Sequence, residues 1–178
     1  MKQRFIYIIV SFWFLISCTS PKQTEVTSPD GHIRLALTLD DNGRIAYQVN
    51  IGDTLFIKPS MLGFTAKDGV NLAEGFKVIN TDFTTHDETW TQPWGENKNI
   101  RNHYNEMAVH LSDTTNTKLT LRFRTFDDGL GFRYEYEVPG ADSILVTDEL
   151  TAFNIAQDGI SWSIPANYDT YELLYRTQ

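Results

Sequence analysis

The chain of 178 residues is long enough for one domain with a sizeable core, but it is short for two domains. Its formal net charge of −8 argues against nucleic-acid binding, which needs a basic surface to displace counterions from phosphates. A hydrophobic content of 41% excludes wholesale disorder, and the single cysteine excludes an intrachain disulfide framework.

The first 17 residues are typical of a secretory signal peptide. Lys2 and Arg4 precede an apolar stretch at 5–17, which is too short for a transmembrane helix of about 20 residues. The single cysteine, Cys18, directly follows Ser17, and this junction resembles the box at which bacterial lipoproteins are acylated. We therefore expect export and a lipid anchor at Cys18 in the bacterial outer membrane, on its periplasmic face. The alternative is an ordinary signal peptide followed by an incidental cysteine.

Residues 18–28 are polar and predict a flexible tether, so we place the folded domain at 29–178. An alternation of apolar and polar side chains with period two begins at Ile33 and resumes at Ile45. The turn sequence Asp41-Asn42-Gly43 lies between the two runs. Because Asn and Gly tolerate positive φ, this pattern predicts a β-hairpin.

The same alternation returns in the second half of the chain. Apolar sets at 107–111, 119–123 and 132–138 are separated by a polar loop at 112–118 and a turn at 127–129. No window shows an apolar repeat of 3.6 residues over a helical length. The pattern predicts an all-β fold, an antiparallel sandwich of two sheets with few or no helices beyond the signal peptide. On the polar face we expect cross-strand pairing of Arg122, Arg124 and Arg133 with Glu135 and Glu137.

The segment 81–106 is less regular, and it is rich in side chains that suit a sugar ligand. It contains Trp90, Trp94, His86 and His103 among many amides and carboxylates. Tryptophan faces stack on the C–H faces of a sugar ring, while amide and carboxylate groups bond its hydroxyls. The composition equally allows the two tryptophans to cover the open end of the sandwich.

Several motifs resemble the N-terminal domain of glycoside hydrolase family 97, a family of α-glucosidases and α-galactosidases. In chain order they are Val26 with Ser28-Pro29-Asp30-Gly31, Pro93-Trp94-Gly95-Glu96, Ile100-Arg101-Asn102-His103-Tyr104-Asn105-Glu106, Asp127-Asp128-Gly129-Leu130-Gly131-Phe132-Arg133-Tyr134, and Asn167 to Tyr175. The similarity covers essentially all of the chain after the signal peptide. It implies a galactose-mutarotase-like β-super-sandwich.

The family that the chain resembles has an N-terminal super-sandwich, a central (β/α)₈ barrel and a small C-terminal β domain. Barrel enzymes carry their chemistry on loops at the C-terminal ends of the barrel strands. This sequence ends where the barrel would begin, so we assign no catalytic residue and expect the chain to be inactive alone. Its expected partners are the catalytic barrel and, in the intact enzyme, an oligosaccharide with α-linked glucose or galactose.

The resemblance also implies a calcium site beside the bound sugar, to which this domain lends one glutamate. The matching residue is Glu172. Since Ca²⁺ takes six to eight oxygen ligands, we expect weak or no calcium binding by this chain alone. As substrate-binding residues we select Trp94, Glu96, Asn102 and His103.

Two other functions remain open from the sequence. A free-standing carbohydrate-binding lipoprotein would use the same aromatic segment without catalysis. A sugar epimerase on a similar sandwich would need a general acid and a general base that face one sugar. His103 and Glu106 have the required chemistry.

Replacing Cys18 with alanine should release the protein from the membrane fraction, because acyl chains anchor a protein with about 0.8 kcal/mol per buried CH₂. Cell fractionation and immunoblotting measure the distribution, with Ser20→Ala in the tether as the control. A Cys18→Ala protein that stays in the membrane fraction would contradict the lipid anchor.

Overall fold

The computed structural model describes residues 24–178, so the signal peptide and Cys18 lie outside the described residues. The strands are β1 (Thr24–Thr27), β2 (Ile33–Leu39), β3 (Ile45–Ile51), β4 (Thr54–Leu62), β5 (Phe64–Ala66), β6 (Lys77–Thr91), β7 (Asn99–Ser112), β8 (Lys118–Phe126), β9 (Gly129–Glu137), β10 (Val146–Glu149), β11 (Trp162–Ser163) and β12 (Arg176–Thr177). A single 3₁₀ turn at Lys67–Gly69 is the helical element of this part of the chain, which confirms the all-β prediction. None of its helices has the length and apolar character that crossing a bilayer requires.

The first sheet has the order β1-β2-β3-β4, with every pair antiparallel. The predicted hairpin is present, because Leu39 of β2 lies opposite Ile45 of β3. The segment 150–156 runs along the outer edge of β4, where the amide of Ala152 donates to the carbonyl of Met61 at 2.9 Å. This segment covers an edge that would otherwise be free.

The second sheet is an antiparallel meander in the order β6-β7-β8-β9. Its turns at 113–117 and 127–128 match the predicted breaks between apolar sets. The segment 81–106, whose sequence pattern is less regular, lies largely in β6 and β7, which pair over their whole lengths. Strand pairing determines the backbone here, although the side chains show little apolar alternation.

The core lies between the two sheets, each of which buries one face. Pleating sends alternate side chains inward, so the period-two runs of the sequence form a single apolar cluster. Its fully buried members include Leu35, Leu37, Ile45, Tyr47, Met107, Leu111, Leu119, Leu121 and Phe123. This packing confirms the predicted two-sheet antiparallel sandwich.

The structure corrects the N-terminal boundary of the domain. Thr24–Thr27, which we assigned to the tether, forms β1 and pairs with β2. Ser28 is buried, and its hydroxyl accepts the amide of Ile33 at 2.9 Å. The tether prediction is wrong for residues 24–28 because their backbone is hydrogen-bonded and the side chain of Val26 lies in the core.

Gly43 and Gly31 form a matched pair for testing the packing around the first hairpin. Both have left-handed φ, +69° and +76°, but a Cβ on Gly43 would lie 2.4 Å from backbone atoms of Phe76, whereas a Cβ on Gly31 meets nothing within 4 Å. Each substitution by alanine costs about 1–2 kcal/mol of backbone strain. Gly43→Ala should cost roughly 2 kcal/mol more, because the backbone of Phe76 must move. Equal midpoints for the two variants in urea denaturation would contradict this account.

Candidate functional site: the hairpin arm and the outer face of the second sheet

A two-stranded arm, residues 86–104, projects from the second sheet. The pairing of β7 with β8 ends at Asn105 and Thr125, whereas β6 and β7 continue together to Thr91 and Asn99. Residues 99–104 of β7 therefore have one strand neighbour, β6, instead of two. The arm carries all four residues that we selected for substrate binding.

The tip of the arm, residues 92–98, presents Trp94 to solvent. The turn is closed by the side chain of Gln92, whose Nε2 donates to the carbonyl of Asn97 at 2.6 Å. Gly95 adopts a φ of +114° that other residues rarely reach. Trp94 is 83% exposed and Trp90 is 48% exposed, so neither tryptophan seals the described part of the sandwich.

One face of the arm carries a row of polar and aromatic groups. Glu88 accepts from Nε2 of His86 at 3.1 Å and from Nδ2 of Asn102 at 3.4 Å. The ring of His86 stacks on that of Tyr104, with centroids 5.0 Å apart. The His86 contact, followed by the Asn102 bond, lowers the pKa of Glu88, which therefore stays ionised. Trp90 follows on this same face at the end of β6, because strand residues two apart share a face.

The opposite face of the arm carries a separate set of polar groups. Arg101 holds Asp87 with two hydrogen bonds of 2.8 and 2.7 Å, and this contact lowers the pKa of the Asp87 carboxyl. His103 lies directly opposite Asp87 in the strand register. Its Nδ1 is buried and has no hydrogen-bond partner among the described residues.

The four selected residues are therefore distributed over three places. Trp94 and Glu96 lie in the tip, whereas Asn102 and His103 are neighbours in β7 and point to opposite faces. A ligand on either face can contact only one of these last two side chains. The same geometry overturns the epimerase pair, since His103 and Glu106 are three residues apart on one strand and face opposite sides.

The outer face of the second sheet continues from the arm as a chain of five charged side chains. Glu106 accepts from Nη1 of Arg122 at 2.5 Å and from Nε of Arg124 at 2.7 Å. Glu135 accepts from Nε of Arg122 at 2.9 Å and from Nη2 of Arg133 at 2.6 Å. The side chain of Glu106 is only 10% exposed. These bonds join β7, β8 and β9 across their outer face.

This charged chain partly matches the predicted pairing. The prediction is confirmed for Arg122, which bonds Glu135 across the strands, whereas Arg133 bonds the same carboxylate from its own strand, β9. It is wrong for Arg124, whose partner is Glu106 on β7. The strand β8 lies between β7 and β9, so its arginines meet carboxylates from both neighbours, whereas only the β9 neighbours were foreseen. The sequence contained an indication of this pairing. Glu106 directly precedes the apolar set at 107–111 and occupies a polar position of the same alternation.

The ionisation of this network follows from its contacts. Burial alone raises the pKa of Glu106, but the bonds to Arg124 and Arg122 outweigh it and leave the pKa lowered. The bonds to Glu135 and Glu106 raise the pKa of Arg122 above its usual value. Arg122, followed by Arg133, lowers the pKa of Glu135 to about 2. Glu106, Arg122 and Glu135 are therefore charged at neutral pH.

Glu172 lies in the C-terminal part of the chain, separate from these groups. Its side chain is exposed, and its amide donates to the hydroxyl of Thr170 at 3.1 Å. Nowhere in residues 24–178 do three or more His, Cys, Asp or Glu side chains gather as a metal site would require. Ca²⁺ takes six to eight oxygen ligands, of which Glu172 can supply only its own carboxylate.

Exposed apolar side chains flank Glu172 in the sequence. Leu174 is 91% exposed and Tyr175 is 74% exposed, and Tyr168 and Tyr171 are exposed as well. Single exposed apolar groups are ordinary on protein surfaces, but a concentration of large ones marks an interaction surface. We call residues 160–178 the C-terminal apolar segment.

Solved structures with this fold identify the class of protein as a β-sandwich domain of glycoside hydrolases. A Glycoside Hydrolase Family 97 enzyme from Pseudoalteromonas sp. strain K8, in complex with acarbose, matches with a TM-score of 0.80 and 31% identity over 87% of this chain and 24% of that one. The structure of an enzyme of this description from the same strain with panose gives a TM-score of 0.79 and 31% identity over 86% and 24%. A β-arabinopyranosidase shares the fold, with a TM-score of 0.74 and 22% identity over 86% and 26%.

Residues 26–178 match the family described as Glycosyl-hydrolase 97 N-terminal, and the chain belongs to this family. A retaining alpha-galactosidase from Bacteroides thetaiotaomicron is 24% identical over 132 residues, which are 74% of this chain and 19% of that protein. The chain therefore spans between a fifth and about a quarter of the length of these relatives. The family resemblance stated from the motifs is confirmed.

The lowered pKa of Glu135 predicts a defined loss of stability in acid. Its folded-state pKa is about 2, against an ordinary value of 4.5. The stabilisation is fully present above pH 4.5 and is lost as the pH falls toward 2. Glu135→Gln should therefore flatten the pH dependence of the unfolding free energy in this window. Urea denaturation at several pH values measures it.

Glu137→Gln is the matched control for this experiment. Glu137 lies on the same strand, bonds Lys118 at 2.8 Å instead of an arginine, and is 74% exposed. Such an exposed pair contributes about 0–1 kcal/mol. Parallel pH profiles for Glu135→Gln and the wild-type chain would contradict the role of Glu135.

Proposed function

We propose that this chain serves as the N-terminal domain of a family 97 α-glycosidase that hydrolyses oligosaccharides with α-linked glucose or galactose. The observation that carries the proposal is the family match over residues 26–178, together with the neighbours solved in complex with panose and acarbose. In this proposal a catalytic barrel supplies the reacting carboxylates, and the protein is exported and held at the periplasmic face of the outer membrane through Cys18.

The C-terminal apolar segment supports a role in docking against the barrel. Ile160, Trp162 and Leu174 each expose more than half of their surface. Covering such side chains contributes about 25 cal/mol per Å² of apolar area, so a neighbouring domain would be stabilised by contact with them.

The tip of the arm supports a role on the substrate side. Trp94 offers an exposed indole face, and the exposed Glu96 lies two residues away. An indole face can stack on a sugar ring, while a carboxylate accepts hydrogen bonds from its hydroxyls. In this proposal Trp94 and Glu96 contact the ligand first, and one of Asn102 and His103 contacts it as well, according to the face of the arm on which the ligand lies.

Calcium enters the proposal through Glu172. The exposed carboxylate is the kind of ligand that Ca²⁺ prefers, and its position in the C-terminal apolar segment would bring it to the interface with the barrel. When bound, Ca²⁺ would attract the oxygen atoms of the substrate. The part of Glu172 is to supply one of several oxygen ligands, with the others outside residues 24–178.

The chain alone should not hydrolyse a nitrophenyl α-glucoside or α-galactoside, whereas the chain joined to a family 97 barrel should. In the joined enzyme Trp94→Ala should raise KM about tenfold, because one aromatic stacking contact contributes roughly 1 kcal/mol or more. Thr114→Ala, in the loop between β7 and β8, is the control. Turnover by the chain alone, or an unchanged KM for Trp94→Ala, would contradict the respective part of the proposal.

Glu172→Gln should weaken calcium binding by the joined enzyme at least tenfold, because the substitution removes a charged ligand. Isothermal titration calorimetry measures the affinity, and Glu137→Gln controls for the loss of one surface charge. Glu137 bonds only Lys118 and lies outside the C-terminal apolar segment. An unchanged titration for Glu172→Gln would reject the assignment.

The exposure of Trp90 and Trp94 also favours a second candidate, a carbohydrate-binding lipoprotein without catalysis. The two candidates differ in what the chain does by itself. A binding module should bind panose without any barrel, and Trp94→Ala should abolish that binding. The glycosidase-domain proposal expects weak or undetectable binding until the barrel is joined.

A further inference from the structure

Arg124 is held in a fixed position and yet keeps two of its three guanidinium nitrogens available. Its Nε donates to Glu106 at 2.7 Å, and its Cζ lies 4.5 Å from the centroid of the Tyr104 ring. These two contacts fix the plane of the guanidinium. Neither Nη1 nor Nη2 has a hydrogen-bond partner among residues 24–178, and 41% of the side chain is exposed. By contrast, all three nitrogens of Arg122 are engaged.

Next to this free edge of Arg124, two glycines leave part of the outer face of the sheet without side chains. Gly131 sits directly opposite Arg124 in the register, and Gly129 sits opposite Phe126. A Cβ added at either glycine would meet nothing within 4 Å. The resulting depression encloses about 180 Å³ and is lined by Arg122, Arg124, Phe126 and Arg133, among others.

The depression is suited to bind a group that has a carboxylate and an apolar face. The end-on fork of Nη1 and Nη2 matches the two oxygens of a carboxylate, and such bidentate pairs are both strong and directional. The ring of Phe126, packed at 5.2 Å from that of Tyr104, offers a surface for the C–H face of a sugar. The open depression has room for one ring.

The local charge also favours an anion. The network contains three arginines and two glutamates, so it has a net charge of +1 on a chain whose total is −8. A carboxylate is repelled by most of this acidic protein and is attracted here. The arginines are preorganised by their ion pairs, so little side-chain entropy is lost on binding.

We propose that the depression beside Arg124 binds a uronate, an acidic sugar residue whose carboxylate pairs with the free edge of Arg124 and whose ring lies against Phe126. The inference does not depend on the proposed glycosidase function, because a neutral α-glucoside lacks the group that Arg124 would bind. It assigns the outer face of the second sheet a role in selecting acidic oligosaccharides.

The experiment is an NMR titration of the purified chain with sodium methyl α-D-glucuronoside, methyl α-D-glucoside and sodium acetate. We expect the glucuronoside to bind in the millimolar range and to shift the Arg124 Nε–H resonance. Both other probes should bind at least tenfold more weakly, since each lacks one half of the recognised group. Raising the salt concentration should weaken the binding.

Two variants locate the site. Arg124→Gln should weaken glucuronoside binding at least tenfold, while Arg34→Gln, at an exposed arginine on β2 in the other sheet, should leave it unchanged. Gly131→Val keeps every charge and suits a strand, but its side chain enters the open space beside Arg124. It should also weaken binding at least tenfold, with an unchanged or higher unfolding midpoint.

The outcomes separate the proposal from its rivals and from the glycosidase function. Acetate that binds as tightly as the glucuronoside shows a site for small anions, and equal binding of the neutral glucoside shows a site for any sugar; each overturns the proposal. So does glucuronoside binding that survives Arg124→Gln or Gly131→Val, or no binding in the millimolar range. The turnover of the joined enzyme tests the glycosidase function separately, and its outcome does not change the glucuronoside titration of the purified chain.

Discussion

The burial of one face of each four-stranded sheet against the other is the interaction on which the rest of this structure depends. Tyr47 on one sheet and Phe123 on the other are both fully buried within a single apolar cluster. Removing this area from water offsets the conformational entropy of ordering the strands. With the inner faces largely committed to the core, most charged strand residues of these sheets are directed outward, where they can form ion pairs or contact a ligand.

The second sheet uses its outer face in two ways. Where β7 has neighbours on both sides, Glu106 joins the strands through ion pairs with two arginines. Burying the Glu106 carboxylate alone would be costly, and the two arginines compensate its charge. Where β8 has ended, the hairpin continues as an arm whose two faces are both open. The tryptophans lie there, outside the core, in positions that contribute to contact with other molecules and little to the stability of the sandwich.

Much of the fold could be predicted from local sequence. Leu119 to Phe123 alternates strictly and Ile33 to Leu39 does so except at Ala36, and this period is typical of a strand with one buried face. The arm could not be predicted in this way, since neither of its faces is buried in the core and no apolar alternation marks it. Thr24 to Thr27 was missed for a related reason: a short polar edge strand is defined by its partner β2 and hardly by its own residues.

The sequence by itself determined the all-β class, the first hairpin, the turns of the meander and, through short motifs, the family. These features depend on residues close together in the chain. Only the tertiary structure decided which polar groups meet. It placed Asn102 and His103 on opposite faces, brought Glu106 to two arginines of β8 and left an edge of Arg124 open beside Gly131. Such contacts depend on strand register, and a shift of one residue would send every side chain to the other face.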